Sequence, residues 1–283
     1  MHSRLAHLPS LLSLLIVIAM LLYGPIPQLS HYHDFADQSL WMGIPHAADV
    51  LSNLGFGLVA AVGFYYIART SQLMIKANSD PAYFMIIVSL LLTSIGSSFY
   101  HLAPDDARLF WDRLPIALAC ASLMCAVRAE NIPCMTRLSA LLELSVSLLF
   151  AVFSVFWWQW TADLRPYLLL QGLSLILIPL WHMIWRAPKA DRLAFGIAMV
   201  LYVLAKITEI ADAPILTLTH IISGHSIKHV IAATAAALIV LRLLQRTREF
   251  QIPECRNAGG TRQVPKSSAS TPVGASQETR RFS

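Results

Sequence analysis

Long apolar runs separated by short polar stretches dominate this chain of 283 residues. Each run is close to the roughly 20 residues that an α-helix needs to cross a bilayer. The pattern predicts eight helices, over residues 9–24, 50–68, 82–102, 114–129, 138–158, 166–185, 193–211 and 225–244. Because the connecting loops are short, we expect a single all-α, polytopic membrane helix bundle.

The two ends of the chain and the first loop depart from this pattern. Residues 1–24 carry an apolar run after Arg4 but no small-residue cleavage site. They therefore predict an extra, uncleaved N-terminal transmembrane helix instead of a signal peptide. Residues 25–48 form an acidic outer loop, and residues 49–246 form a seven-helix core. Residues 247–283 form a basic tail that is rich in Ser, Thr, Pro and Gly, and we expect this tail to be disordered.

Composition and charge agree with a membrane protein. The chain is 56% hydrophobic and 13% charged, about half the charged fraction of a soluble domain. The net charge of +5 does not indicate nucleic-acid binding, because most basic residues fall on one side of the predicted bundle. These are Arg4, Arg69, Lys76, Arg128, Arg137, Arg186, Lys189, Arg192, Arg242, Arg246 and Arg248. The loops on the other side hold only Arg108, Arg113 and Arg165. This bias predicts that both termini are cytoplasmic.

Polar residues at helical spacing mark the candidate chemistry. Ser97 and His101 are four residues apart, as are His225 and His229, so each pair lies on one face of a helix. On the predicted topology these helix ends face the same, outer side of the membrane. Three neutral imidazoles around one point form a zinc site with an open fourth position. Asp112 and Ser97 close by would complete a hydrolytic centre, although a single HxxxH pair also arises often by chance.

Other polar residues near these helix ends leave alternatives open. Lys206 and Glu209 are three residues apart, so they can form a structural ion pair. Together with Asp212 and Lys228 they can instead surround the metal ligands and orient them. We expect Ser52 and Asn53 to form interhelical hydrogen bonds.

The first outer loop and the start of the next helix carry Asp34, Asp37 and Asp49, and the loop has no Lys or Arg. One interpretation is a solvated loop. The other is a second cation site of the kind that calcium takes, because calcium binds carboxylate and carbonyl oxygens.

Taken together, three motifs resemble those of the alkaline ceramidase family. They are Ser97-x-x-x-His101, Asp112 eleven residues further on, and His225-x-x-x-His229. The family belongs to a wider superfamily of seven-helix membrane hydrolases, which also includes the progestin/adipoQ (adiponectin) receptors. The similarity covers about residues 46–244. The segments Asp49–Asn53 and Gly224–His229 also resemble those of the bacterial members.

The resemblance implies a zinc ion held by His101, His225 and His229. It also implies Asp112 as the general base and Ser97 as a stabiliser of the oxyanion. The implied activity is hydrolysis of the N-acyl amide of ceramide-like membrane lipids to a sphingoid base and a fatty acid. The resemblance to the bacterial members favours the bacterial inner membrane over the ER or Golgi as the location of the protein.

The chain departs from the family in its extra N-terminal helix and at His46, which lies near the position of a glutamate in the family's calcium site. A rival hypothesis is a receptor-like or regulatory membrane protein with a structural zinc. A third hypothesis is a transporter that uses Lys206, Glu209 and Asp212 as an ion path, but the sequence shows no internal repeat of the kind that transporters have.

Overall fold

The computed structural model describes residues 5–70, 78–132 and 134–249 and is predominantly helical. The helices are α1 (Leu8–Tyr23), α2 (Ala47–Ser52), α3 (Leu54–Thr70), α4 (Asp80–Leu102), α5 (Asp106–Asn131), α6 (Arg137–Thr161), α7 (Arg165–Ile184), α8 (Lys189–Ile210), α9 (Asp212–Thr219) and α10 (Gly224–Glu249). A short hairpin pairs β1 (Leu40–Trp41) with β2 (Ile44–Pro45) in antiparallel register. The predicted disordered tail lies outside the described residues from residue 250 onward.

Within the described residues, seven helical segments are long and apolar enough to cross a membrane. Helices α2 and α3 together form the first, Ala47–Arg69, and α4 to α8 and α10 form the other six. The prediction of an all-α, multi-pass membrane protein is therefore confirmed. Helix α1 is also apolar, but its 16 residues make it shorter than the other seven segments.

One end of the bundle carries the candidate site. It is the end where α4, α6 and α8 stop and where α5, α7 and α10 start. We call it the histidine end, and it consists of residues 24–46, 103–105, 162–164 and 211–223 together with the adjoining helix turns. The basic residues at the ends of α3, α5 and α7 lie at the opposite end.

Helix α5 begins at Asp106, eight residues before the predicted start at residue 114. Asp105 caps it, because its carboxylate accepts a hydrogen bond from the Arg108 amide at 2.7 Å. An acidic side chain at this position satisfies an amide that would otherwise lack a partner. Asp112 lies two residues before the helix start that the sequence pattern predicts, but the structure places it in the second turn of α5.

A proline allows α4 and α5 to approach each other closely. Pro115 was predicted in the first turn of α5 but lies inside the helix. Proline has no N–H, so the carbonyl of Trp111 loses its usual helical donor. That carbonyl faces Gly96 of α4, where an added Cβ would lie 2.0 Å from the oxygen. Only glycine fits this contact, which brings Ser97 against the second turn of α5.

The N-terminal helix is tied to the bundle at the histidine end. The Ile26 amide donates to Asp163 Oδ1 at 3.0 Å, and the Leu164 amide donates to the Ile26 carbonyl at 2.8 Å. Arg165 pairs with Asp163 at 2.8 Å. Burial by itself would raise the pKa of Asp163, but the hydrogen bonds from Arg165 and Ile26 hold that pKa well below its usual range. The end of α1 is therefore fixed beside the start of α7.

Helix α5 lies at the centre of the bundle and packs against α4, α6 and α7, whereas α10 packs against α3 and α8. Among the described residues, three buried apolar clusters fill the space between these helices. One includes Tyr83, Ile86 and Leu243, and another, which extends to the histidine end, includes Leu109 and Val155. Close packing of this kind holds the polar groups of the site in fixed positions.

Candidate metal centre

Three histidines meet inside the histidine end. His101 lies in the last turn of α4, and His225 and His229 lie in the first two turns of α10. Their exposed fractions are 1%, 5% and 4%, so all three are buried. Their candidate ligand nitrogens lie within 4.8 Å of one another. In the part of the chain that the structure describes, this is the only such group of three potential metal-ligating side chains, and it could hold one metal ion.

The spacing and chemistry of these nitrogens suit a transition metal. His101 Nε2 and His225 Nε2 are 3.2 Å apart. Nitrogens that share a tetrahedral metal at about 2.0–2.1 Å from each lie roughly 3.4 Å from one another. Neutral imidazoles bind zinc, copper, nickel or iron, whereas calcium and magnesium prefer oxygen ligands. The residues present therefore fit the predicted zinc ion, although they do not by themselves identify the metal.

A hydrogen bond orients the His229 ring. The Ser52 hydroxyl donates to the carbonyl of Asp49 at 2.9 Å, so its oxygen accepts from His229 Nδ1, which lies 2.8 Å away. This arrangement protonates Nδ1 and leaves Nε2 of His229 free to bind a metal. The interhelical hydrogen bond predicted for Ser52 is therefore present, and it reaches a candidate ligand. Asn53 instead donates locally, to the carbonyl of Asp49 at 2.9 Å.

The start of α10 is fixed against the end of α8. A Cβ added to Gly224 would lie 2.2 Å from the carbonyl oxygen of Thr208, so this close approach requires glycine. Asp212 Oδ1 accepts the amide of His225 at 2.8 Å, and its Oδ2 accepts the amide of Ala36 at 2.9 Å. Asp212, predicted to orient a ligand, thus holds the backbone of the first turn of α10 and also the outer loop.

Asp49 also positions α10. It is fully buried, and its Oδ1 accepts hydrogen bonds from the Ser223 hydroxyl at 2.9 Å and the Ser226 hydroxyl at 2.5 Å. Ser223 Oγ in turn accepts the amide of Ser226 at 2.9 Å, which caps the helix. The carboxylate that the sequence grouped with calcium ligands therefore faces the histidine helix.

Ser97 and Asp112 form a pair beside the histidines. Ser97 is buried one helical turn before His101, and its hydroxyl lies near the carboxylate of Asp112 and interacts with it. Asp112 is not part of the group of mutually close ligand atoms. The pair therefore adjoins the candidate metal centre without belonging to the ligand set.

A chain of charged groups leads from α8 to His225. Lys206 Nζ donates to Glu209 Oε2 at 2.6 Å, and Lys228 Nζ donates to Glu209 Oε1 at 2.9 Å. Lys228 Nζ also lies 3.0 Å from His225 Nε2. Residues three apart on a helix are neighbours, so the long side chain of Lys228 reaches back to the ring of His225.

The outer loop covers the histidine end. Phe35 packs its ring against those of His101 and His225, with centroid distances of 4.6 and 4.5 Å. His33 Nδ1 lies 2.8 Å from the hydroxyl of Tyr100, and its Nε2 lies 3.1 Å from the carboxylate of Asp106. These contacts fix the loop over the metal centre.

The three predicted calcium ligands do not come together. Asp34 pairs with His31 at 2.9 Å on the surface, whereas Asp37 is buried and accepts the amides of Ser39 and Asp49 at 2.9 and 3.0 Å. Burial by itself would raise the pKa of Asp37, but the hydrogen bonds from Ser39 and Asp49 hold it below its usual range. Among the described residues, these carboxylates form no set of mutually close ligand atoms. The geometry thus offers calcium no ligand set in the described loop.

An apolar cavity of about 470 Å³ lies between α5, α7, α8 and α10. Ile116, one turn beyond Asp112, lines it toward the metal centre, as does Tyr202. His182 and Arg192 line it toward the opposite end. The eleven residues of α8 from Arg192 to Tyr202 span about 15 Å at the helical rise, so the cavity extends over about that length beside the helix.

Sequence reasoning missed several residues that build the site. Gly96 and Gly224 each directly precede a predicted site residue, and a glycine at such a position in a membrane helix is a signal of close helix approach. Ser223 stands three residues before Ser226, which is the spacing of a helix cap. Phe35 carried no signal of this kind.

No protein-family model matches this chain, and no curated protein sequence matches it. The functional conclusion therefore rests on the residues and the geometry described above.

Proposed function

We propose that this protein is a zinc-dependent intramembrane lipid amidase, which hydrolyses the N-acyl amide of ceramide-like lipids to a sphingoid base and a fatty acid. The observation that carries the proposal is the placement of three buried histidines beside the neighbouring side chains of Ser97 and Asp112, within a membrane helix bundle. The resemblance of the same residues to the alkaline ceramidase motifs supports this function.

The roles of the residues follow from their positions. His101, His225 and His229 would hold the zinc ion, which when bound supplies a Lewis acid that polarises the amide carbonyl and activates water. Asp112 lies close to the ligand set but outside it, so we assign it as the general base. It accepts a proton from water and returns that proton to the leaving amine.

Ser97 has two successive roles, first toward Asp112 and then toward the substrate. Its hydroxyl is engaged with the Asp112 carboxylate, so it orients the base at the start of the reaction. Once Asp112 is protonated, it can donate to Ser97 Oγ, and the Ser97 proton is then free to turn toward the developing oxyanion. A donor aimed at such an oxygen lowers the activation free energy by about 3 kcal/mol.

The apolar cavity supports a lipid as the substrate. It begins one helical turn from Asp112 and continues along α8 toward the opposite end of the bundle. The length of about 15 Å along α8 equals half of the roughly 30 Å hydrocarbon core of a bilayer, which is the reach of one acyl chain. The acyl chain of an N-acyl lipid would occupy this cavity, with its amide at the histidine end.

We further propose that α1 crosses the membrane as an eighth helix, with both termini in the cytoplasm. The histidine end would then face the outer side, which is the periplasm if the protein resides in a bacterial inner membrane. The clustering of basic residues at the opposite end supports this orientation.

The second candidate function is that of a receptor-like or regulatory membrane protein of the same superfamily, with a structural zinc. One observation favours it: Phe35 packs directly on two of the three histidines and covers the centre. A hydrolytic centre needs an open coordination position, whereas a structural zinc site is closed.

The metal assignment is tested by elemental analysis of purified protein. We expect about one zinc per chain in the wild type and loss of zinc in His225→Ala and His229→Ala, because a three-ligand site cannot spare a ligand. His33→Ala, a nearby histidine outside the ligand group, is the matched control. Full zinc occupancy in both ligand variants would contradict the assignment.

The catalytic assignment is tested by Asp112→Asn. We expect this variant to retain zinc while hydrolysis of N-acyl lipids falls by about 10² or more, because removal of a general base has an effect of this size. The exposed Asp34→Asn is the control.

A lipid-hydrolase screen of the wild type, with and without a zinc chelator, separates the two candidate functions. A zinc-loaded protein that hydrolyses no N-acyl lipid supports the receptor-like alternative.

A further inference from the structure

The side chain of Lys228 reaches into the candidate metal centre. Its Nζ lies 3.0 Å from His225 Nε2, and that nitrogen lies 3.2 Å from His101 Nε2. The ammonium thus engages the ring nitrogen that faces the other histidines. Only 19% of the Lys228 side chain is exposed, so little water screens its charge.

Lys228, Lys206 and Glu209 form a cluster with a net positive charge. Glu209 is shared by Lys206 and Lys228, so two ammonium groups face one carboxylate and one positive charge remains. Lys228 also interacts electrostatically with the carboxylate of Asp112. In the low dielectric of a membrane bundle such interactions are stronger than in water.

A metal ion and Lys228 compete for the same atom. His225 Nε2 has one lone pair, which can accept a hydrogen bond from the Lys228 ammonium or bind a metal, but not both. A metal dication at this nitrogen would also be repelled by an ammonium close by. Glu209, already 2.9 Å from Lys228 Nζ, can retain the ammonium when it leaves the ring.

We propose that Lys228 is a charged member of the metal centre, which lowers the affinity for the metal and favours an anion beside a bound metal. The first half stands on the contact with His225 alone. The second half rests on the proposed function, because amide hydrolysis places negative charge on the carbonyl oxygen and releases a carboxylate. Lys228 would then stabilise these negative oxygens.

The test measures zinc affinity by chelator competition on purified full-length protein, with no lipid substrate present. We expect Lys228→Met to bind zinc about tenfold more tightly or better, because a nearby positive charge is removed. Glu209→Gln should bind zinc more weakly, since an adjacent negative charge is lost. Lys228→Arg keeps the charge and should stay near the wild type. Lys206→Met, which removes a charge with no hydrogen bond to a histidine, should show a smaller increase.

Zinc affinity that is unchanged or lower in Lys228→Met would overturn the first half. Lys228→Gln gives a second neutral variant if the methionine protein does not fold, and the melting temperature of the metal-free protein reports on folding. For the second half, acetate should tighten zinc binding more in the wild type than in Lys228→Met. An equal effect of acetate in both proteins would overturn it. Because neither measurement uses activity, a failure of the proposed amidase function leaves both results interpretable.

Discussion

Helices α8 and α10 are joined by an ion pair at each end of their contact, and the two pairs differ in kind. At the opposite end, Arg242 Nε donates to Asp191 Oδ1 at 2.6 Å, and both side chains are buried. At the histidine end, Lys228 Nζ donates to Glu209 Oε1 at 2.9 Å and also contacts His225. Both pairs link α8 to α10, but only the second also contacts a candidate metal ligand.

The choice of cation matches this difference. Arginine has a planar guanidinium that is always charged and forms fixed, directional hydrogen bonds, which suits a permanent helix contact. Lysine has a compact ammonium on a flexible stem, so it can move between a carboxylate and an imidazole. Two buried ion pairs on the same two helices can therefore have different tasks, and the partners of the cation indicate which task each has.

The largest expected effect separates the two pairs directly. Asp191→Asn removes the carboxylate charge that pairs with buried Arg242, and breaking a buried ion pair costs about 3–5 kcal/mol of unfolding free energy. We expect the folded protein to bind zinc as tightly as the wild type. Denaturation in detergent micelles and chelator competition measure the two quantities. A change in zinc affinity with unaltered stability would show that the two pairs are not separable in this way.

A smaller loss is expected from Gly224→Ala, which concerns the histidine end alone. Its Cβ would lie 2.2 Å from a carbonyl of α8, so α10 must shift, at a cost of about 1–3 kcal/mol. Because His225 moves with the helix, zinc affinity should also fall. Gly172→Ala is the control, since its Cβ would meet nothing within 4 Å. Equal behaviour of the two variants would argue against the close approach.

Ser52→Ala tests the orientation of one ligand. Loss of the hydrogen bond to His229 should lower zinc affinity by about 10- to 100-fold, while the unfolding free energy falls by only about 1 kcal/mol. Ser98→Ala is the matched control, because Ser98 donates to the carbonyl of Val50 and not to a histidine. If both serines affect zinc equally, the effect comes from helix packing and not from the ring.

The smallest effect is expected at Asp163, which fixes the end of α1. Its pKa is held below the usual range, so its stabilising contribution is complete at neutral pH and is lost only as the pH falls through that lowered value. Hydrogen-exchange protection of residues 20–26 should therefore stay constant between about pH 8 and pH 5 and decline in stronger acid. Asp163→Asn should lower the protection across this whole range. A decline that begins near neutral pH would show that another group controls the docking of α1.

The order of the seven spans and the approximate bounds of six of them followed from the sequence, because a run of apolar side chains reports directly on the thickness of the hydrocarbon that it must cross. The start of α5 did not. Its cap and first turn carry Asp105, Asp106 and Arg108, which an apolar-run criterion excludes from a helix. Asp105 supplies a cap to the helix, and Asp106 is held by the outer loop through His33, so tertiary contacts favour a helix there.

The same division applies to the candidate site. The four-residue spacings placed Ser97 near His101 and His225 near His229, because neighbours on one helix face depend only on the local rise and twist. Contacts between helices depend in addition on how each helix is rotated about its own axis and how closely it packs. Asp49 illustrates this, since it was grouped with acidic neighbours in the sequence but turns its carboxylate to Ser223 and Ser226, more than 170 residues away. Only the packed bundle, in which Gly96 and Gly224 allow the helix backbones to touch, decides those partners.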